Sequence, residues 1–168
     1  RLTRVRPVPG RMELFRVEGR PGIVVDYAHN AGALQAALEA LRPHTAGRLW
    51  CVFGAGGDRD RGKRPLMGAA AAAGADRVIL TDDNPRTERP ATIIRDILSG
   101  MPDGSAASVE HDRGAALRMA LEQAAAGDMI LLAGKGHETT QTFGDRVRSW
   151  SDREAAAEML GAVPMEGT

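Results

Sequence analysis

Arg77-Val78-Ile79-Leu80-Thr81-Asp82-Asp83-Asn84-Pro85-Arg86-Thr87-Glu88-Arg89-Pro90 joins an apolar run to a polar loop that ends in proline. Val78 to Thr81 is β-favouring and reads as a buried strand. Thr92 to Leu98, just beyond Pro90, reads as a helix. Prolines stiffen the loop between them, and Asn84-Pro85 biases Asn84 towards an extended backbone. Taken alone, the loop reads equally as a solvated turn or as a ligand-binding loop. Its place favours the second reading if the strand belongs to an open α/β sheet, because such sheets bind ligands beyond the carboxyl ends of their strands.

The same order recurs on either side. Gly22 to Asp26, with Ile23-Val24-Val25 at its centre, reads as a strand buried on both faces. Asp26-Tyr27-Ala28-His29-Asn30 follows, and Asn30 caps a helix from Ala31 to Leu41 with Leu34, Ala37, Leu38 and Leu41 on one stripe. Leu49 to Phe53 is the next strand, followed by Gly54-Ala55-Gly56-Gly57-Asp58-Arg59-Asp60-Arg61-Gly62-Lys63-Arg64-Pro65 and a helix over Leu66 to Ala73. Met129 to Ala133 is the most apolar strand and runs into Gly134-Lys135-Gly136-His137-Glu138. Arg11 to Val17 suits an edge strand, and Ser108 to Glu110 a weak one. Asp112 caps a helix to about Ala126. Thr140 to Phe143 and Arg146 to Ser149 read as a hairpin around Gly144-Asp145. Asp152 caps a last helix to Leu160, and a frayed tail is expected from Ala162. Strand, loop and helix alternating in this way predict one α/β domain over residues 1–168, with a mostly parallel sheet and helices on both faces.

Composition removes several functional classes. Lys plus Arg and Asp plus Glu balance at 22 each, so nothing points to a nucleic-acid or anionic-membrane partner. Arginine far outnumbers lysine, and its planar fork suits carboxylates and phosphates, although codon bias has the same effect. Cys51 is the only cysteine and lies in an apolar run, which suits a reducing cytosol. No apolar stretch reaches the ~20 residues of a membrane span. The chain starts at Arg1 rather than Met and has no signal-peptide core, which reads as a fragment of something longer.

The parallel sheet would gather four polar loops, around Asp26, Arg59, Asp83 and Glu138, on one edge. The Gly57-x4-Gly62-Lys63 spacing approaches a P-loop, but Arg64 stands where Ser or Thr must hold Mg²⁺, and Asp58 and Asp60 would repel phosphates. That leaves a solvated glycine loop, or a loop whose arginines face an anionic ligand. Asp26 and His29 make a weak metal pair without further ligands nearby. Asp26, at the end of a strand, reads instead as an acceptor for a hydroxyl such as a ribose, or simply as part of a helix-start turn. Gly134 to Glu138 lets backbone approach a ligand, with Lys135 and His137 as donors and Glu138 as acceptor. His44 and His111 read as exposed turn residues.

Together, Asp26-Tyr27-Ala28-His29-Asn30, the Gly56 to Pro65 run and Gly134-Lys135-Gly136-His137-Glu138 resemble the C-terminal domain of the Mur ligases, which build the peptide of bacterial cell-wall precursors. They stand in the family's order and spacing across essentially the whole chain. Asp83-Asn84-Pro85-Arg86 resembles the motif of the member that adds meso-diaminopimelate to UDP-N-acetylmuramoyl-L-alanyl-D-glutamate. Ala31 departs from the proline often found after the Asp-Tyr-Ala-His-x run. The resemblance implies a Rossmann-like sheet that closes over a central ATP-binding domain. That central domain would carry the P-loop, most of the contacts to ATP and Mg²⁺, and a carbamylated lysine. This chain is then an excised third domain, cytoplasmic, inactive as a ligase alone, and partnered by the rest of its own polypeptide, ATP and the UDP-linked dipeptide. Carried over by motif, Arg59, Asn84, Arg86, Gly134 and Glu138, with Asp83, bind diaminopimelate. Arg11, Asp26, His29 and Lys63 contact ATP. Pro85 braces Arg86, and Thr87, Glu88 and Arg89 stay on the surface. The alternatives are a related ligase adding lysine or another residue, which needs no clamp for a distal carboxylate, and a non-catalytic nucleotide-binding module.

Overall fold

A computed structural model describes residues 8–162, so the expected tail beyond Ala162 lies outside the described residues. In chain order the elements are β1 (Glu13–Phe15), β2 (Gly22–Asp26), α1 (Ala31–Leu41), β3 (Leu49–Phe53), α2 (Lys63–Gly74), β4 (Arg77–Leu80), α3 (Pro90–Leu98), β5 (Ala107–Val109), α4 (Arg113–Gln123), β6 (Met129–Ala133), β7 (Thr140–Phe143), β8 (Arg146–Ser149) and α5 (Asp152–Leu160). The main sheet has six strands in the order β1-β2-β6-β3-β4-β5. β1 is antiparallel to β2 and every other pairing is parallel. Hairpin β7–β8 forms a separate sheet of two strands.

Strands β2, β3 and β6 are buried along their whole length, which is why they read as continuous apolar runs without alternation. Their side chains still alternate between two cores. Val24, Cys51, Phe53, Val78, Leu80 and Leu131 pack with Leu34, Leu38, Met67, Ile94 and Ile97 of α1, α2 and α3. Ile23, Val25, Trp50, Val52, Ile79, Ile130 and Leu132 pack with Leu117, Ala120, Ala156 and Leu160 of α4 and α5. Helices therefore cover both faces, as the alternation predicts. Burial pushes the Cys51 thiol up, so the thiolate is suppressed. Among the described residues no helix is long and apolar enough to cross a membrane.

Element ends differ from expectation where capping and pairing decide. Asn30 and Asp112 accept from Ala33 N–H at 2.9 Å and Ala115 N–H at 2.8 Å, as N-caps should. The cap of α5 is Ser151, whose Oγ accepts from Glu154 N–H at 3.3 Å, not Asp152. Asp152 is instead fully buried and holds Arg113 through Nε at 2.7 Å and Nη2 at 2.8 Å. Arg113 Nη2 also donates to the Ala133 carbonyl at the end of β6, at 2.8 Å. The pair ties α4 and α5 to the edge of the sheet where the polar loops emerge. Helix α2 starts at Lys63, ahead of Leu66, and α3 at Pro90, a position where proline's missing N–H costs nothing. Helix α4 ends at Gln123, before Ala126.

Two expectations for the loops are corrected. Arg64 does not face a ligand: it is fully buried, bonding Glu88 at 2.8 and 3.0 Å and Asp96 at 2.9 Å. Glu88 is not a surface residue, because its side chain is only 8% exposed between Arg64 and Arg61. A buried guanidinium needs a carboxylate partner, and the Thr81–Pro90 loop supplies it.

Hydrogen bonds from Arg64, then from Asp58 N–H, draw the Glu88 carboxyl down to about 2. Because the folded pKa lies below the ordinary 4.5, the stabilisation is complete above that value and drains away as pH falls towards about 2. Glu88→Gln should therefore be less stable than wild type at pH 7, and urea midpoints should show the gap narrowing between pH 5 and 2. Asp152→Ala, which strands a buried guanidinium, should lose about 3–5 kcal/mol, while Arg113→Met with Asp152→Leu should recover most of it in the same measurement.

Candidate functional site

Parallel register places the ends of four strands side by side: Asp26 pairs with Ala133, Val52 with Leu132, and Phe53 with Leu80. The loops that leave these ends enclose a hollow of about 360 Å³. Its walls include Arg59, Asp83, Asn84, Arg86, Gly134 and Glu138, the whole set expected to meet diaminopimelate, and also His29 and Lys63. Tyr27, Gly56 and Asp60 complete the lining. All three lie within the motifs, but the motif pattern alone gives Tyr27 and Gly56 no binding role. An aromatic ring in a polar turn and a glycine pair just ahead of a charged run are the sequence signals that mark them.

The loop after β3 lies directly on the loop after β4. Gly57 N–H donates to the Asn84 carbonyl at 2.8 Å, and a Cβ on Gly57 would collide with the Pro85 carbonyl. Arg86 Nη1 donates to the Gly57 carbonyl at 2.7 Å. Gly56 leaves space for the arginines, since a Cβ there would stand 2.9 Å from Arg86 Nη1 and 3.6 Å from Arg59 Cγ. Among the described residues neither Arg59 nor Arg86 pairs with an acid. Arg86 has φ +52°, a left-handed backbone that costs a non-glycine residue about 1–3 kcal/mol. Pro85, expected as the brace, does not act alone. Arg86 N–H donates to the Thr142 carbonyl at 3.0 Å, and Gly144 N–H donates to the Arg86 carbonyl at 2.6 Å, so the β7–β8 hairpin holds both sides of the strained residue.

Acids and a lysine form another part of the lining. Lys135, expected to donate to a ligand, is instead fully buried, with Nζ at 3.0 Å from Glu138 Oε2 and 3.4 Å from Asp83 Oδ1. Asn84 Nδ2 donates to the same two oxygens, at 3.1 and 3.0 Å, and Asn84 Oδ1 accepts from Thr142 N–H at 3.0 Å. Asn84 thus spends its side-chain groups on holding its neighbours. Glu138 Oε1 has no hydrogen-bond partner among the described residues. Gly134 has φ +112°, and a Cβ there would stand 3.0 Å from Asp83 Oδ2, so glycine is required beside the acid.

The residues expected to meet a nucleotide divide. The Arg11 guanidinium lies 4.7 Å from the Tyr27 ring centroid. The rings of His29 and His137 stand 4.7 and 5.5 Å from Tyr27. These groups form an aromatic and cationic cluster beside the hollow. Lys63 Nζ donates to the His29 carbonyl at 2.9 Å, and desolvation holds its pKa below the ordinary value. Asp26 lies outside the lining, and its two oxygens accept from Met12 and Ala28 N–H, both at 2.8 Å. It fastens the entry of β1 to the turn after β2. Among the described residues no group of three or more His, Cys, Asp or Glu could hold a metal ion. His44 is exposed as expected. His111 is exposed too, but its Nδ1 lies 2.8 Å from Asp82 Oδ1. A second hollow, of about 330 Å³, is mostly apolar, lined by Met12, Leu14, Val24, Leu41 and Met129 with Arg16 and His44.

Comparison with known proteins bears on the family and fold of the chain. The family model for the Mur ligase glutamate ligase domain matches residues 10–136. A UDP-N-acetylmuramoyl-L-alanyl-D-glutamate–2,6-diaminopimelate ligase from Alkalilimnicola ehrlichii is 59% identical over 96% of this chain. One of the same name from Vibrio vulnificus is 56% identical over 94%. A solved structure of a ligase of that name superposes with a TM-score of 0.86 at 44% identity over 94% of the chain. In each case the chain spans 32% of the relative's length. The chain belongs to the Mur ligase family, and its fold is that of the family's glutamate ligase domain.

Proposed function

We propose that this chain is the amino-acid-selecting domain of an ATP-dependent ligase that adds meso-diaminopimelate to UDP-N-acetylmuramoyl-L-alanyl-D-glutamate in peptidoglycan precursor synthesis. The observation that carries this reading is the charge arrangement of the hollow. Arg59 and Arg86 flank Gly56 without acid partners among the described residues, while Asp83 and Glu138 share Lys135. One lysine against two carboxylates leaves a single negative charge in that cluster, which suits one ammonium. The hollow thus offers arginines for a carboxylate and a net acidic cluster for an amine, the two groups of one amino-acid centre. Diaminopimelate has such a centre at each end. Binding one end here would present the amine of the other for attack. Lysine has an amine but no carboxylate at its distal end and would leave both arginines unpaired. Arg86 is half-buried, and a polar site built to pair a charged group disfavours the ligand that lacks it.

ATP would supply the phosphoryl group that activates the D-glutamate γ-carboxylate. Arg11, Tyr27 and His29 suit the nucleotide's base and ribose by stacking and hydrogen bonding, and Lys63 suits its phosphates. Asp26 contributes by holding that turn in shape. Mg²⁺ and most phosphate contacts fall to the rest of the full-length protein. ATP and a UDP-linked substrate fit a cytoplasmic site of action. This chain's own contribution to rate is orientation of the attacking amine and completion of the nucleotide pocket on domain closure.

In the full-length ligase, Arg86→Ala should raise KM for diaminopimelate about a hundredfold, the loss of a charge-paired contact, and leave KM for ATP within about twofold. Steady-state kinetics with each substrate varied separately decide it, and equal losses for both substrates would contradict the assignment. The isolated chain should show no ligase turnover.

A further inference from the structure

Strand β7 lies against the loop after β4 for most of its length. Gln141 Nε2 donates to the carbonyls of Asp82 and Asp83 at 3.0 and 2.9 Å. Thr142 N–H bonds the Asn84 side chain at 3.0 Å, and the Thr142 carbonyl receives Arg86 N–H at 3.0 Å. Arg86 and Phe143 form an isolated parallel bridge. Apart from Pro85, every residue from Asp82 to Arg86 is thus bonded to this hairpin. The hairpin is not part of the main sheet, so the link exists for the loop's sake rather than for the core.

Gln141 is the centre of that link. It is fully buried and does not line the hollow. Its Oε1 accepts from Arg148 Nε at 2.9 Å and Nη2 at 2.7 Å. The guanidinium fixes which way the amide points, because it can only donate. With the oxygen committed to Arg148, the NH₂ group must face the two loop carbonyls. Arg148 is itself placed from outside: its guanidinium carbon lies 4.9 Å from the Phe143 ring centroid, Asp112 is 3.6 Å away, and its side chain is 45% exposed. A chain of contacts therefore runs from the surface of β8, through one amide, to the backbone of the residues that line the hollow.

We propose that Gln141, oriented by Arg148, is a positioning residue for amino-acid selectivity: it fixes the backbone of Asp82 and Asp83 and so places the Asp83, Asn84 and Arg86 side chains. The proposal rests on the reading of the hollow as an amino-acid site. Neither residue touches substrate, so loosening the link displaces the contacts without removing one. Displacements of about 1 Å at a reacting geometry cost up to about a hundredfold.

The test uses the full-length ligase with Gln141→Leu, Arg148→Ala, Arg148→Lys and Arg86→Ala, with thermal unfolding recorded for each. Gln141→Leu and Arg148→Ala should raise KM for meso-diaminopimelate about tenfold, leave KM for ATP within about twofold, and reduce the preference for diaminopimelate over L-lysine. Arg148→Lys, which keeps a donor for Oε1, should restore part of the loss. Arg148 is half-exposed, so its variants report even where Gln141→Leu fails to fold. A folded Arg148→Ala enzyme with wild-type KM for diaminopimelate, or with equal losses for ATP, overturns the positioning role. If Arg86→Ala alone raises that KM, only the positioning role fails. If Arg86→Ala also leaves it unchanged, the amino-acid site itself is wrong and the proposal falls with it.

Discussion

The parallel register of β2, β6, β3 and β4 is the constraint on which the rest depends. Hydrogen bonding between parallel strands aligns their carboxyl ends, so four successive loops must emerge together. Apolar burial on both faces holds that register, because a slip of one residue would exchange the side chains packed on α1–α3 with those packed on α4 and α5. Everything chemical in the domain is a consequence of which side chains those four loops carry.

Bringing charged loops together at the edge of a core creates a second problem, since buried charge is costly unless paired. The structure meets it at three points. Arg113 is neutralised by Asp152 and bonds the Ala133 carbonyl. Arg64, buried, and Arg61, exposed, together balance Glu88 and Asp96, which locks the loop after β4 onto α2. Lys135 is shared by Asp83 and Glu138. The first two close their charge completely and serve the scaffold. The third leaves one negative charge over, and it is the one that lies in the lining of the hollow. Arg59 and Arg86 are likewise left without acids. Full pairing in the supports and incomplete pairing at the edge is the physical difference between structure and site here.

The strands, the helices on both faces and the convergence of the four loops were legible in the sequence, because apolar runs and N-cap residues such as Asn30 and Asp112 are local signals. Motif resemblance marks eight residues that the structure brings to the hollow, Arg59, Asp83, Asn84, Arg86, Gly134, Glu138, His29 and Lys63, but not Tyr27 or Gly56, and it marks Asp26, which lies outside the lining. Long-range pairing was not legible. Nothing within a few residues of Glu88 announces that Arg64 will bury against it, and Lys135 looks like a ligand donor until its two acid partners are seen. Gln141 was hidden for the same reason: a neutral residue in a predicted strand carries no charge or motif to mark its bonds to Asp82 and Asp83. Asp152 looks like a cap because acids favour helix starts. Its real partner, Arg113, lies on another helix.

The most direct test of the account is amino-acid-dependent ATP hydrolysis by the full-length ligase, supplied with the UDP-linked dipeptide and with either meso-diaminopimelate or L-lysine. If the unpaired arginines select for a distal carboxylate, kcat/KM should favour diaminopimelate by a factor on the order of 10⁴, the discrimination expected when a polar site is left unmet. Comparable turnover with L-lysine, or a preference for it, would contradict the claim that Arg59 and Arg86 choose the amino acid.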